Sequence, residues 1–259
     1  MRNRLNSSCE QTGDIEQLHE SNTPYQKSTS EKSYLEHQVC LFGPERYESG
    51  YDYPLVVWLH SCQSSEFELE NVMPELSMQN YVACAPRGTM ACDPEGKFFQ
   101  WGQTNASAAI AEEVVFESVD LASQHFSINR KNIFLAGFGS GGSMAWRIAM
   151  RYPQRFAGVI SICGDFPHRN QPLMNIGAAR DLPMMWLYGE ESKRCGIQQV
   201  CESLPLLHTA SLSVDLRQYP CGDDLLTNML DDINGWMMEL VTKQPAVSEK
   251  VKEESFSRN

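Results

Sequence analysis

The sequence predicts an α/β fold with a mainly parallel sheet of about seven strands and helices on both faces. Three observations predict it. Short apolar runs alternate with helical patterns between two polar ends. Most of these runs are continuous, as in strands covered on both faces. One run also ends in a glycine-dense turn that leads at once into a helix.

The strand candidates, in order, are Tyr34 to Phe42, Leu55 to His60, Tyr81 to Ala85, Asn132 to Gly137, Ala157 to Cys163, Met184 to Tyr188 and Ser213 to Tyr219. Helical segments fill the gaps between them. From Ser107 onward, Ile110, Val114, Val115 and Val119 share a face, and Ile197, Val200, Leu204 and Leu207 do so in the next-to-last helix. In the final helix Leu226, Leu230, Ile233, Met237 and Leu240 form one stripe. These stripes are core, with no ligand role.

The 259 residues suit one large domain, and 42% hydrophobic with 21% charged content is ordinary for a globular protein, so a single core is expected. Residues 34–242 are assigned to it. Residues 1–33 and 243–259 are polar without apolar period, so burial cannot offset the entropy of ordering them, and both are expected to be mobile tails.

No stretch approaches the ~18 apolar residues of a membrane span, and the first residues lack the apolar core of a signal peptide. A cytoplasmic protein is expected. The formal charge of −12 disfavours nucleic acid, whose phosphates would be repelled. Nine cysteines, without a CxxC pair, suggest neither a disulfide framework nor a zinc site. Cys84 and Cys163 fall in strand-like runs, where a reduced cysteine acts as a small hydrophobe.

The most informative segment is NIFLAGFGSGGSMAWRIAM, residues 132–150. Strand, sharp turn and helix in that order form the frame of the nucleophile elbow G-x-S-x-G, where small residues flank an apex serine. Here the frame holds Gly137, Phe138, Gly139, Ser140 and Gly141, so the apex is Gly139. Sliding it by one to use Ser140 puts bulky Phe138 where a small residue is required. A frame of Gly141, Ser143 and Ala145 places Ser143 six residues beyond the strand, within the helix. A phosphate loop is disfavoured, since neither GxxxxGK[ST] nor GxGxxG is met.

With its neighbours, this segment resembles the phospholipase/carboxylesterase family of α/β-hydrolases, which includes acyl-protein thioesterases. PLVVWLHSCQSS is similar to the family's first oxyanion segment, with Ser61 replacing a glycine; YVACAPRG, FFQWGQ and RYPQRFAGVISICGDFP resemble later segments. The resemblance spans roughly residues 34–241. It implies oxyanion donors at the backbone N–H groups of Cys62 and Ser140, loop support from His60 and Ser61, and no metal or organic cofactor.

The resemblance also implies where the other catalytic groups belong. The family's acid position falls on Ser192, in YGEESKRC, and its histidine position on Asp223, in YPCGD. A register shift leaves Glu190 or Glu191 as an alternative acid. Positions that should hold Ser, Asp and His thus hold Gly139, Ser192 and Asp223. Glycine cannot attack a carbonyl, serine cannot stabilise an imidazolium as a carboxylate does, and a carboxylate of pKa about 4 is a poor base for an alcohol.

Among the histidines, His19 and His37 precede the core, and His125 and His208 fall in or near helices. His168 follows the strand ending at Cys163, where a solvated loop role competes with a catalytic one. The expected function is a catalytically silent scaffold whose pocket binds an ester-like or acyl-like small molecule or a protein partner. The alternative is an ester or thioester hydrolase with Ser140, Ser61 or Cys62 as nucleophile.

Overall fold

The computed structural model describes residues 38–167 and 175–243, together with the backbone of a strand at Tyr25–Thr29. In chain order the elements are β1 (Tyr25–Thr29), β2 (Gln38–Phe42), β3 (Tyr53–Leu59), α1 (Leu69–Leu76), β4 (Val82–Pro86), β5 (Met90–Ala91) and β6 (Phe99–Gln100). They continue with α2 (Asn105–His125), β7 (Ile128–Phe138), α3 (Ser140–Arg151), β8 (Gly158–Ile162), α4 (Ile176–Ala179), β9 (Met184–Gly189), α5 (Ile197–Thr209), β10 (Val214–Tyr219) and α6 (Thr227–Lys243).

Eight strands form one sheet in the order β1-β2-β4-β3-β7-β8-β9-β10. All pairs from β4 to β10 are parallel, and the β1–β2 and β2–β4 pairs are antiparallel. The predicted mainly parallel sheet is therefore present, and each of its seven expected strands overlaps an observed one. The eighth, β1, pairs antiparallel with β2 and falls within the segment 1–33 expected to be a tail. An edge strand is held by backbone pairing, which a polar sequence such as YQKST supplies without an apolar period. The rest of both expected tails beyond Lys243 and before Gln38 lies outside the described residues.

The strands are buried on both faces, which explains their unbroken apolar runs. Leu55, Val57 and Leu59 of β3 join a core with α2, α3 and α5, while Val56 and Trp58 join a second core with α1 and α6. The period of two thus feeds both layers.

Two helical stripes need correction. In α2 the buried face is Ala108, Ala111, Val114, Val115, Ser118, Val119 and Ala122, and Ile110 is exposed. In α5, Val200, Ser203 and Leu207 are buried, whereas Ile197 and Leu204 are exposed. In α2 alanine and serine let the helix approach β4 and α3 closely, so its contact face is not the most hydrophobic one. In α6 Leu230, Ile233 and Met237 are buried as expected, joined by Met229, while Leu226 and Leu240 pack at the margin.

Candidate functional site

The site lies at the carboxyl ends of β3, β7, β9 and β10, where loops leave a parallel sheet. At its centre is the turn between β7 and α3. Gly139 has φ +57° and ψ −116°, a conformation that a side chain occupies only under strain. Its N–H donates to Ile162 O at 2.8 Å, which fixes the turn against β8.

The flanking glycines are required by contact. A Cβ on Gly137 would stand 2.5 Å from the Gly141 carbonyl carbon, and one on Gly141 would stand 2.0 Å from Leu59 O. The turn is wedged between the end of β3 and the start of its own helix. Ser140 is the first residue of α3, and its buried Oγ has no hydrogen-bond partner. Ser143 sits inside α3, where its Oγ bonds Gly139 O and accepts from Asp165 N at 2.9 Å. The frame that would make Ser143 an apex is thereby excluded.

The loop after β3 is braced by a polar network. His60 is fully buried; its Nε2 accepts from Gly88 N at 2.8 Å, which leaves the proton on Nδ1 to donate to Ser61 O at 2.7 Å. Burial pushes its pKa below the ordinary imidazole value. Both nitrogens are occupied and the ring is held neutral, so it is a brace rather than a proton shuttle. Trp101 Nε1 adds a bond to His60 O at 3.1 Å.

Glu68 is the residue that sequence reasoning missed. Its carboxylate accepts from Ser61 Oγ at 2.6 Å, from Ser61 N at 3.1 Å and from Trp58 Nε1 at 2.9 Å. An acidic residue at the entry of α1, seven positions after Ser61, was the available signal. Nearby, the buried Glu66 takes two bonds from Arg87, whose guanidinium also covers the Phe99 ring at 4.5 Å. Cys62 Sγ donates to Gln100 Oε1 at 3.2 Å. The backbone N–H groups of Cys62 and Ser140 have no acceptor among the described residues.

Across the site, the loops after β9 and β10 bring Ser192 and Asp223 together. Ser192 Oγ donates to Asp223 Oδ1 at 2.5 Å and accepts from Cys195 N at 2.9 Å, and Lys193 N donates to Asp223 Oδ2 at 3.3 Å. Glu190 and Glu191 are exposed, and their N–H groups bond Tyr219 O and Cys221 O. Burial raises the pKa of the Cys163 thiol to about 11 and of Cys195 to about 12, so both neighbouring thiols stay protonated.

Of the remaining histidines, His125 ends α2 with Nδ1 on Leu121 O, and His208 lies in α5. His19, His37 and His168 lie outside the described residues. Among the described residues at the site, no serine hydroxyl or cysteine thiol hydrogen-bonds a histidine ring. No group of His, Cys, Asp or Glu among the described residues is arranged to hold a metal ion.

Beside the elbow is a cavity of about 320 Å³ lined by Ser143, Arg147, Asp165, Phe166, Arg194 and Glu202, among others. Arg194 joins this cavity to the elbow: its Nη1 lies 3.2 Å from the point a Gly139 Cβ would occupy. The loop from Arg87 to Gln103 that borders the site contains the short antiparallel pair β5–β6. Its turn is held by the Asp93 carboxylate, which accepts from Phe98 N at 2.6 Å and Lys97 N at 3.0 Å.

Several solved structures share this architecture. A carboxylesterase from Mesorhizobium loti matches with TM-score 0.66 and 15% identity, over 82% of this chain and 98% of that one. SOBER1 from Arabidopsis thaliana matches at 0.61 and 18%, over 73% and 99%. At such identities the likeness concerns the fold. Among curated proteins, the putative esterase NocK of Nocardia uniformis subsp. tsuyamanensis is 32% identical over 63 residues. That stretch spans 24% of this chain and only 17% of that relative. The family model described as Phospholipase/Carboxylesterase matches residues 97–240, more than half of the 259. On that match, carried on an α/β-hydrolase sheet and elbow, the chain belongs to the phospholipase/carboxylesterase family.

Proposed function

We propose that this chain is a catalytically silent member of its family, in which the pocket beside the elbow binds an acyl-like or ester-like small molecule or a protein partner. One observation carries the reading. The pair that should join a carboxylate to an imidazole joins Ser192 Oγ to Asp223 Oδ1 instead. The bond has the right partners by position and the wrong chemistry: neither group takes a proton from an alcohol near neutral pH. Gly139 at the apex supports the same conclusion, since it offers no nucleophile.

The competing reading, a hydrolase with another nucleophile, has less support. Ser140 Oγ has no hydrogen-bond partner among the described residues, Ser61 Oγ is tied to Glu68, and Cys62 Sγ points its proton at an amide. A cytoplasmic location fits the eight free cysteines among the described residues, and no helix among those residues is long and apolar enough to cross a membrane.

The test is restoration. Gly139→Ser, Ser192→Asp and Asp223→His are combined with Arg194→Ala, which clears the space over residue 139, and hydrolysis of a short-chain aryl ester is followed. The wild type is expected to be near background and the restored variant well above it. A wild-type kcat/KM at or above about 10⁴ M⁻¹ s⁻¹, the range of ordinary enzymes, would overturn the proposal.

A further inference from the structure

Arg194 is an exposed cation that makes no ion pair or hydrogen bond among the described residues, in a chain whose formal charge is −12. Its guanidinium lies over the elbow, with Nη1 3.2 Å from the position of a Gly139 Cβ. The side-chain-free apex leaves the space under the guanidinium open, whereas a serine there would require it to shift by a few tenths of an ångström.

Two further features bear on that point. Among the described residues the N–H of Ser140, next to Gly139, has no acceptor and its Oγ is buried without a partner, and Arg194 also forms part of the cavity wall. The cavity, at about 320 Å³, is at the small end of ligand pockets. Phe166 and Pro167 give it an apolar wall. Asp165 and Glu202 line it too, opposed in charge by Arg147 and Arg194. Arg147 is already engaged with Gln103 O and Asn105 Oδ1, which leaves Arg194 as the cation facing the elbow.

We propose that this site is a receptor for a short-chain monocarboxylate, whose carboxylate is held by Arg194 together with the free N–H of Ser140 at the elbow. The inference rests on the silent reading of the site and names its ligand class. A guanidinium fork bonds a carboxylate bidentately and more strongly than it bonds a neutral ester, and inorganic phosphate, which the fork also accepts, has no acyl chain to set against the apolar wall. The acyl chain would lie against Phe166 and Pro167. Where a hydrolase polarises a carbonyl for attack, this arrangement retains a charged acid.

The test is calorimetric titration of the full-length protein with hexanoate, methyl hexanoate and inorganic phosphate, repeated with Arg194→Met. Arg194 is exposed, so the variant is expected to fold with an unchanged Tm. Wild type should bind hexanoate at least about tenfold more tightly than the ester or phosphate, and Arg194→Met should lose about tenfold or more for hexanoate alone. Equal binding of acid and ester, equal binding of phosphate, no binding of hexanoate, or an unaffected variant would each overturn the proposal. Labelling of the wild type by a fluorophosphonate separates the two readings. A labelled serine sinks catalytic silence, whereas an unlabelled protein that ignores hexanoate sinks only the carboxylate assignment.

Discussion

The two sides of the site differ in what holds them. On the β3–β7 side, the elbow and the loop after β3 are set by backbone contact and buried hydrogen bonds: glycines where a Cβ would strike a carbonyl, and His60, Ser61, Trp101 and Glu68 in one network. On the β9–β10 side, half-buried and exposed side chains meet in loops, with Ser192 on Asp223 and Arg194 over the turn. The first side carries the frame with Gly139 at its apex, and the second carries the Ser192–Asp223 pair in its loops. A chain can therefore change the chemical groups while retaining the frame, because substitutions in exposed loops cost little and those in the frame cost much.

The largest expected effect falls on the frame. Gly141→Ala would force a Cβ to within 2.0 Å of Leu59 O, a backbone atom that cannot swing aside, so a loss of about 3 kcal/mol or a failure to fold is expected in urea denaturation. An unchanged midpoint would mean that the frame is not the rigid side. Gly139→Ser tests the junction of the two sides. At φ +57° it should cost about 1 to 3 kcal/mol, and an unchanged or raised Tm would show that the apex stores no strain.

His60 gives the frame a pH signature. Its folded pKa is depressed by burial, so the unfolded state binds the proton more readily, and stability falls as pH drops below the unfolded value of about 6.5. Replacing His60 with Gln should lower stability at pH 8 and flatten this slope between pH 6.5 and 5, measured by urea midpoints across that range. An equal slope in both proteins would remove His60 as its cause. The smallest effect belongs to the loop side: Ser192→Ala removes two hydrogen bonds from a half-buried residue and should cost about 1 kcal/mol. A loss as large as that of Gly141→Ala would erase the distinction between the sides.

The same division decides what was legible in the sequence. The sheet was legible because doubly covered strands must be apolar throughout, and the elbow because only glycine survives its contacts. The faces of α2 and α5 were misjudged at Ile110, Ile197 and Leu204; in α2 close packing against β4 and α3 selected alanine and serine over larger hydrophobes. Glu68 and Arg194 were not legible as site residues. Glu68 acts through bonds to Ser61 and Trp58 only seven and ten positions away, a short spacing that was read without assigning it a role, whereas Arg194 lies over Gly139, far away along the chain, and no local pattern records that approach. The bond between Ser192 and Asp223 is likewise long-range, though family resemblance pointed to both positions.

The proposed silence turns on Gly139, which puts no nucleophile at the apex of the frame. The most direct test is incubation of the purified wild-type protein with a fluorophosphonate, followed by mass spectrometry of the intact chain and its peptides. The account predicts no stoichiometric adduct on wild type, with Ser140 and Ser61 both unmodified. One adduct per chain at a single serine, formed at the rate of an ordinary serine esterase, would contradict it.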